Sequence, residues 1–462
     1  MLLRVLLALS IASSVLACGG DDAQGDPLAD GGLLPDGAPA PPANLAKCSS
    51  DSECPGGKCV DVGSQKACVR SKSCTGGPGA NSTCDGVATD KTKPGSDSCC
   101  KTVAVPGGSF NQFNDPDFPA TVGPFLLDAY EVTAGRFRAW VEATNGNLRS
   151  SAPKAGGGAH PRVPNSGWRD EWTALLPSSR AEVDAMLGPE KCQEGANLDD
   201  YGSLTWFTSY VDGKVKSTNN PTILAANTKD VLDTKAINCV PWVVMFAFCV
   251  WDGGRLPTNA EWSFAAQAGS EQRAFPWGSV AAGDLVNIDG RTDLSQVPKF
   301  GPGTPFLVAS LYDPSLGPNK FDPAYYVHTW GGKFRLAKDN ALHIAPVGRR
   351  PQGNSKYGQA DMAGGMYEWM LDEGPIRPGK CDNCANVSWP APTEFDPNAV
   401  ENLPDTFFHK WYAGGARSIR GGAWDNSLGL ANKQTKAEIQ TYTSYPVGRT
   451  YRSLGGRCAR DP

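Results

Sequence analysis

Hydrophobic and polar positions divide the chain into a few regular stretches set in a much longer irregular background. Val103-Ala-Val-Pro-Gly-Gly-Ser-Phe110 reads as a strand and a turn, and Phe125-Leu-Leu-Asp-Ala-Tyr130 as a second strand. Thr133 can cap a helix that carries Phe137, Trp140 and Val141 on one face. Pro241 to Trp251 is apolar almost all round, which predicts a buried helix rather than a surface one. Thr258-Asn-Ala-Glu261 forms a capping box, in which hydroxyl and carboxylate each accept from the other's backbone N–H. The helix it opens runs through Trp262, Phe264 and Ala265. Beyond that point glycines and loops dominate to the C-terminus, with no internal repeat. The pattern predicts an α+β domain over 101–462 with much irregular loop.

Composition sharpens this picture. There are 53 Gly and 37 Pro, which favour turns, and 13 Trp, which supply a sizeable core in spite of them. The net charge of −5 comes without a basic block, which argues against a nucleic-acid partner.

The N-terminus reads as an export signal. Arg4 is the positive n-region and Val5 to Ala12 a short apolar core, too short to span a bilayer. Val15-Leu16-Ala17 then leads into Cys18, similar to a lipoprotein signal: residues 1–17 would be removed and Cys18 lipidated, anchoring the chain to the membrane of a bacterial cell envelope (periplasm or outer membrane). Residues 18–47 are mostly Gly, Asp, Pro and Ala and read as a flexible tether.

Fifteen cysteines leave fourteen once Cys18 is set aside, which in an exported chain reads as a disulfide framework. Eight of them, at 48, 54, 59, 68, 74, 84, 99 and 100, fall in a small segment, 48–100, with few large apolar residues. Such a segment needs covalent staples. Eight cysteines allow on the order of a hundred pairings, which sequence leaves open. Closely spaced CxxC pairs, as in a zinc ribbon, are absent from it.

An ordered set of short segments resembles the sulfatase-modifying-factor, or formylglycine-generating enzyme, family. They are Val105-Pro-Gly-Gly-Ser-Phe110, Tyr130-Glu-Val-Thr133, Cys249-Val-Trp-Asp-Gly-Gly-Arg-Leu-Pro-Thr258 and Ala260-Glu-Trp262. Phe275-Pro-Trp-Gly278, Pro346-Val-Gly348, Tyr357-Gly358, Asp361-Met-Ala-Gly364 and Glu368-Trp369 follow, then Arg420-Gly-Gly-Ala-Trp424 and Gly456-Arg-Cys-Ala459. The resemblance covers roughly 105–460 and implies a variant of the C-type lectin fold.

It also implies chemistry to look for. The family's copper-dependent oxidases carry Gly-Gly-Ser-aromatic-x-Cys-x4-Cys, since two soft thiolates suit copper(I). Here the stretch runs from Gly421 to Ala431, with Ala423 in place of the serine and Asn426 and Ala431 in place of the thiols. Copper is therefore not expected. An iron-dependent branch uses histidines, but His160, His328, His343 and His409 have no helical i, i+4 spacing and read as surface or hydrogen-bonding residues. Structural calcium is expected by resemblance: Asp361 and Glu368 match the side-chain ligands, and the carbonyls of Met362, Gly364 and Met366 the backbone ones. Gly365 and Tyr367 replace the family's usual Asn and following aromatic position. Asn287 and Ile288 match half of a second calcium site.

The same resemblance pairs Cys249 with Cys458, closing a loop whose entropic contribution would be roughly 4–5 kcal/mol. Cys381-Asp-Asn-Cys384 is a CxxC in an insertion rich in Pro and Asn, read as a structural or labile bridge, and Cys192 and Cys239 are left to each other. Arg349, Arg350 and Arg417 to Arg420 flank the family's substrate groove, with Trp424 and Asn426 beside it. Arginines there could grip a carboxylate or form surface salt bridges. The leading expectation is a non-oxidase, calcium-stabilised binding or assembly domain with a protein, peptide or glycan ligand. The alternative is a periplasmic oxidoreductase of the family acting on a peptide cysteine or a siderophore-type substrate.

Overall fold

The computed structural model describes residues 46–54, 57–61, 65–75, 84, 98–192, 204–206, 210–211, 214–215, 232–278, 299–300, 304–305, 347–348, 354–374, 379–387, 416–422, 443–446, 451 and 453–461. The signal, Cys18, nearly all of the tether, Asn287, Ile288, Arg349, Arg350, Trp424, Asn426, Ala431 and the histidines other than His160 lie outside them.

Strands β1 (Gly57–Asp61) and β2 (Lys66–Arg70) form an antiparallel hairpin. They are followed by β3 (Thr102–Val105), β4 (Gly108–Asn111), β5 (Pro119–Val122), β6 (Phe125–Asp128) and helix α1 (Ala134–Ala143). Helices α2 (Arg180–Leu187) and α3 (Pro189–Cys192) come next, then two short strands, β7 (Tyr210–Val211) and β8 (Lys214–Val215). Helix α4 (Trp242–Trp251) precedes α5 (Asn259–Gln267), and β9 (Lys299–Phe300) pairs with β10 (Thr304–Pro305). The C-terminal part supplies β11 (Tyr367–Glu373), β12 (Cys381–Asp382), β13 (Ala416–Arg420), β14 (Thr443–Pro446), β15 (Leu454–Gly455) and β16 (Ala459–Arg460).

Besides two-stranded pairs, the described residues form three larger sheets, with orders β14-β13-β11-β15, β12-β5-β4 and β16-β6-β3. The last of them joins the two ends of the domain, because β16 pairs with β6 through Ala459–Leu127 and Arg460–Leu126. Gly107 makes the β3–β4 crossover possible: its φ is +74°, and a Cβ there would lie 2.5 Å from the Val122 carbonyl oxygen.

The expected elements form for the expected reasons. The Thr133 hydroxyl accepts from Arg136 N at the start of α1, and the capping box of Thr258 and Glu261 is complete at α5. Helix α4 is buried from Trp242 through Cys249 and packs against an aromatic core. In that core Trp172 meets Trp242 edge-on with centroids 5.2 Å apart, and Phe137 stacks on Phe248 at 5.8 Å. The C-terminal part is less loop-like than its glycines suggested, since β11 and β13 form the centre of a four-stranded sheet.

All fourteen cysteines after Cys18 are paired. Cys249–Cys458, Cys192–Cys239 and Cys381–Cys384 form as expected. The pairing that sequence left open in 48–100 is Cys48–Cys59, Cys54–Cys68, Cys74–Cys100 and Cys84–Cys99. The sulfurs of Cys48, Cys54 and Cys68 lie within 4.8 Å of one another, but each is bound in a disulfide.

The cysteine-rich segment does not stand apart from the main domain. Ala67 and Val69 pack on Ala104 and Leu126, while Cys84 and Cys99 are buried among Val103, Ala129 and Tyr130. A buried charge network closes the junction. Arg136 donates to Asp128 at 2.8 Å and to Asp252 at 2.6 Å, and Arg460 donates to both carboxylates from the other side. Asp252 also accepts from Ser73 N at 2.7 Å and from the Ser71 hydroxyl, and Arg136 Nε donates to the Ser73 hydroxyl at 3.0 Å. Among the described residues no helix is long and apolar enough to cross a membrane.

Candidate metal centre

Strand β11 begins where three elements meet. Its second residue, Glu368, is fully buried and pairs with Arg420 of β13 on one side and Gly455 of β15 on the other. Its carboxylate accepts from Trp262 Nε1 at 3.1 Å, and Arg457 grips it with two donors, Nε at 2.7 Å and Nη2 at 2.8 Å. The remaining donors of Arg457 go to backbone, to the carbonyls of Asp128, Ala129 and Ala360. This guanidinium therefore bolts β11 to the end of β6 and to the segment before Asp361.

Asp361 is 4% exposed and sits at φ 57°, in left-handed backbone, and Gly364 and Gly365 also have positive φ. The chain thus bends sharply on its way into β11, as an oxygen-lined cation loop requires. Asp361 Oδ2 accepts from Gly348 N at 2.6 Å. A third carboxylate, Glu131, enters from the turn between β6 and α1. Its Oε1 accepts from Met366 N at 2.7 Å. Gly365 makes that approach possible, since a Cβ there would lie 2.6 Å from the same oxygen.

Three buried carboxylates thus share one neighbourhood with one buried guanidinium. Burial, then the charges of Glu368 and Asp361, push the Glu131 carboxyl well above the usual carboxylate range, against the pull of Arg457. A cluster with surplus negative charge and hard oxygen donors fits a divalent cation such as calcium. Asp361, Glu368 and Glu131 are the carboxylates that would hold one, with the carbonyls of Met362, Gly364 and Met366 nearby in the chain. Met362 and Met366 are fully buried, and the Met362 carbonyl oxygen would lie 2.9 Å from a Cβ at Gly421.

The groove candidates are placed differently from the surface ion pairs considered as one reading. Arg420 is fully buried, with its guanidinium 5.0 Å from the Trp262 ring and 5.3 Å from the Phe113 ring, and Nη2 donating to the Ser263 hydroxyl at 3.0 Å. Arg417 lies over Trp242 at 4.8 Å, and burial lowers its pKa to about 9. Both arginines brace the interior of the sheet. His160 is a buried hydrogen-bonding residue, with Nδ1 accepting from Arg162 N and Nε2 3.3 Å from Glu261.

The sulfatase-modifying factor enzyme 1-like domain family matches residues 88–295 and 311–462. This chain belongs to that family. Its relatives include the "Formylglycine-generating enzyme" of Thermomonospora curvata, 24% identical over 78% of this chain and 93% of the relative. The "Inactive C-alpha-formylglycine-generating enzyme 2" of Bos taurus is 23% identical over 59% of this chain and 70% of the relative. Among solved structures, PvdO from Pseudomonas aeruginosa aligns over 78% of this chain and 94% of its own, at 17% identity and a TM-score of 0.36.

Glu131 and Arg457 are the residues that motif reasoning passed over. Each lies inside a segment that carried the family resemblance, Tyr130-Glu-Val-Thr133 and Gly456-Arg-Cys-Ala459. The signal was present in principle: each is a charged residue in an otherwise apolar or small-residue setting, where burial without a partner would be costly.

Proposed function

We propose that this chain is an exported, lipid-anchored family member that has lost copper-dependent formylglycine chemistry and serves as a calcium-stabilised binding or assembly domain. One observation carries the loss: every cysteine after Cys18 is in a disulfide. Copper(I) in this family needs a pair of free thiolates, and Asn426 and Ala431 occupy the matching positions.

The carboxylate cluster supports calcium. A bound dication would supply the positive charge that Arg457 alone cannot, leaving Glu131, Asp361 and Glu368 all ionised. Its role is to lock β11 to the β6–α1 turn. The ligand is a protein, peptide or glycan met at the cell envelope, and the anchor on Cys18 would hold the domain there.

The test has two arms. The full exported chain is incubated with copper(I), oxygen and a peptide containing Cys-x-Pro-x-Arg, and mass spectrometry follows the peptide cysteine. No conversion is expected, and turnover would overturn the proposal. Separately, thermal unfolding is compared in calcium and in chelator. Calcium should raise the melting temperature of the wild type by several degrees and that of Glu131→Gln by much less. Equal curves for the wild type with and without calcium would remove the calcium part of the reading.

A further inference from the structure

The outer face of the β12-β5-β4 sheet is polar in a regular way. Its registers set Phe110 opposite Ala120 and Ala120 opposite Cys381, and this row points into the core, each residue 5% exposed or less. The adjoining row must then point outward, because successive side chains of a strand alternate between faces. It consists of Ser109, Thr121 and Asp382, with Ser109 paired to Thr121 and Thr121 to Asp382. Lys380 lies on the same side of β12 as Asp382, and Ser109, Lys380 and Asp382 are all exposed. Over this face runs a cleft of about 560 Å³, walled on the β4 side by Gln272. The volume is that of a small-ligand site, but Phe110, the aromatic residue along it, is turned into the core, so the cleft offers polar groups in place of the usual apolar lining.

The hydrogen bonds already made at this face define what it has left to offer. The Ser109 and Thr121 hydroxyls bond each other at 3.0 Å, which uses one proton and leaves the pair one to give and lone pairs to accept with. Gln272 meets Asn111 N at 2.5 Å. A backbone amide can only donate, so the atom facing it is Oε1, and Nε2 remains a donor. Asp382 Oδ1 accepts from Asn383 Nδ2 at 2.9 Å, and Oδ2 remains an acceptor. Lys380 adds a charged donor. Its charge and that of Asp382 cancel, so a ligand of either sign would meet a like charge. An extended peptide is disfavoured for another reason. Strand addition reads free backbone groups at a sheet edge, and both groups of Asn111 are taken, the N–H by Gln272 and the carbonyl by Gln267 Nε2 at 3.2 Å. The chemistry that fits is a neutral molecule whose groups each donate and accept, as sugar hydroxyls do.

We propose that this cleft binds a neutral oligosaccharide, whose hydroxyls donate to Asp382 Oδ2 and the Ser109–Thr121 pair and accept from Gln272 Nε2 and Lys380. The proposal rests on the reading of the chain as a binding domain and gives that domain a ligand class and a place to hold it. It does not rest on calcium, because the sheet under the cleft contributes no residue to the carboxylate cluster. A shallow site without an aromatic platform gains little from apolar burial, so its selectivity comes from the donor and acceptor pattern, and Asp382, the charged acceptor, carries the largest share.

The experiment uses the full exported chain and saturation-transfer NMR, which suits weak ligands of a large protein. The probes are neutral trisaccharides of glucose, galactose, mannose and N-acetylglucosamine, with a galacturonic acid trimer and a serine-alanine hexapeptide as the charged and peptide comparisons. At least one neutral trisaccharide should bind, in calcium and in chelator alike, and more tightly than either comparison. Asp382→Ala should weaken that binding roughly ten-fold, and Ser109→Arg, which fills the cleft, should abolish it. Both positions are exposed, so circular dichroism and melting temperature should stay at wild-type values. Asp382→Asn, which keeps an acceptor for Asn383, gives a second reading of the lost charge and should weaken binding several-fold. The proposal is overturned if no neutral trisaccharide binds, if the uronate or the peptide binds more tightly, or if binding survives Asp382→Ala and Ser109→Arg unchanged. A null result here, with no turnover in the copper assay, removes the cleft proposal alone, whereas turnover in that assay removes the reading on which it rests.

Discussion

Replacing Asp252 with alanine is the most direct test of how the cysteine-rich segment is held. Asp252 is fully buried at the end of α4, where it accepts from Arg136, Arg460, Ser71 and the Ser73 amide. The network balances two guanidiniums, Arg136 and Arg460, against two carboxylates, Asp128 and Asp252. Burial works to raise the Asp128 carboxyl, but Arg136 and Arg460 overcome it and hold it below the usual range. Without Asp252, two buried guanidiniums face Asp128 alone. Removing one partner of a buried pair costs about 3–5 kcal/mol, and a stranded amide such as Ser73 N adds about 1–3 kcal/mol, less than additively because the groups are neighbours. The expected loss is about 5 kcal/mol. Asp252→Asn, which keeps one acceptor oxygen and the shape, should lose about half as much. Urea unfolding with disulfides intact measures the loss, and hydrogen exchange should show faster opening at 66–74 than in α4. A loss below about 1 kcal/mol, or unchanged exchange at Ser73, would refute the view that this network docks the segment.

Other consequences can be measured on the same chain. Burial is the main cause that raises the Asp372 carboxyl to about 7, although the amides of Asn259 and Asn386 donate to it. The folded state then keeps a proton that the unfolded state has released, so this group's stabilisation is full below about pH 4 and is lost as pH rises towards 7. The change is about 4 kcal/mol, and Asp372→Asn should flatten that part of the stability–pH curve. Loss of Cys249–Cys458, with its separation of 209, should cost about 5 kcal/mol in urea unfolding, whereas loss of Cys381–Cys384 should cost about 2 kcal/mol.

Where sequence spoke clearly, it did so through local chemistry. The Thr133 cap, the Thr258–Glu261 box and the all-apolar run of α4 are each decided within one or two helical turns, and all three formed. Strands β11 and β13 were obscure because their register depends on partners far along the chain: Glu368 pairs with Arg420 and Gly455, and no periodicity within Tyr367–Glu373 announces it. Arg417 and Arg420 read from sequence either as groove arginines that could grip a carboxylate or as partners in surface salt bridges. Their burial is supported by the rings of Trp242, Trp262 and Phe113, which approach from remote segments. The packing of the cysteine-rich segment was hidden for a related reason. A cysteine-rich composition signals a lack of core, but it does not say whose core the cysteines will join, and Cys84 and Cys99 join that of the main domain.

The corner between β6 and α1 explains why these features belong together. Asp128 contributes its side chain to the charge network that holds Ser71 and Ser73, while its carbonyl and that of Ala129 accept from Arg457. Three residues after Asp128, Glu131 reaches the carboxylate cluster, and Thr133 then caps the helix that delivers Arg136 back to the network. The docking of the N-terminal segment and the geometry of the candidate metal centre therefore share one short piece of backbone. A shift of this corner would move Glu131 and the acceptors of Arg457 together, so the two cannot vary independently. The cleft beside Cys381 rests instead on β4, β5 and β12, a sheet that contributes no residue to either cluster.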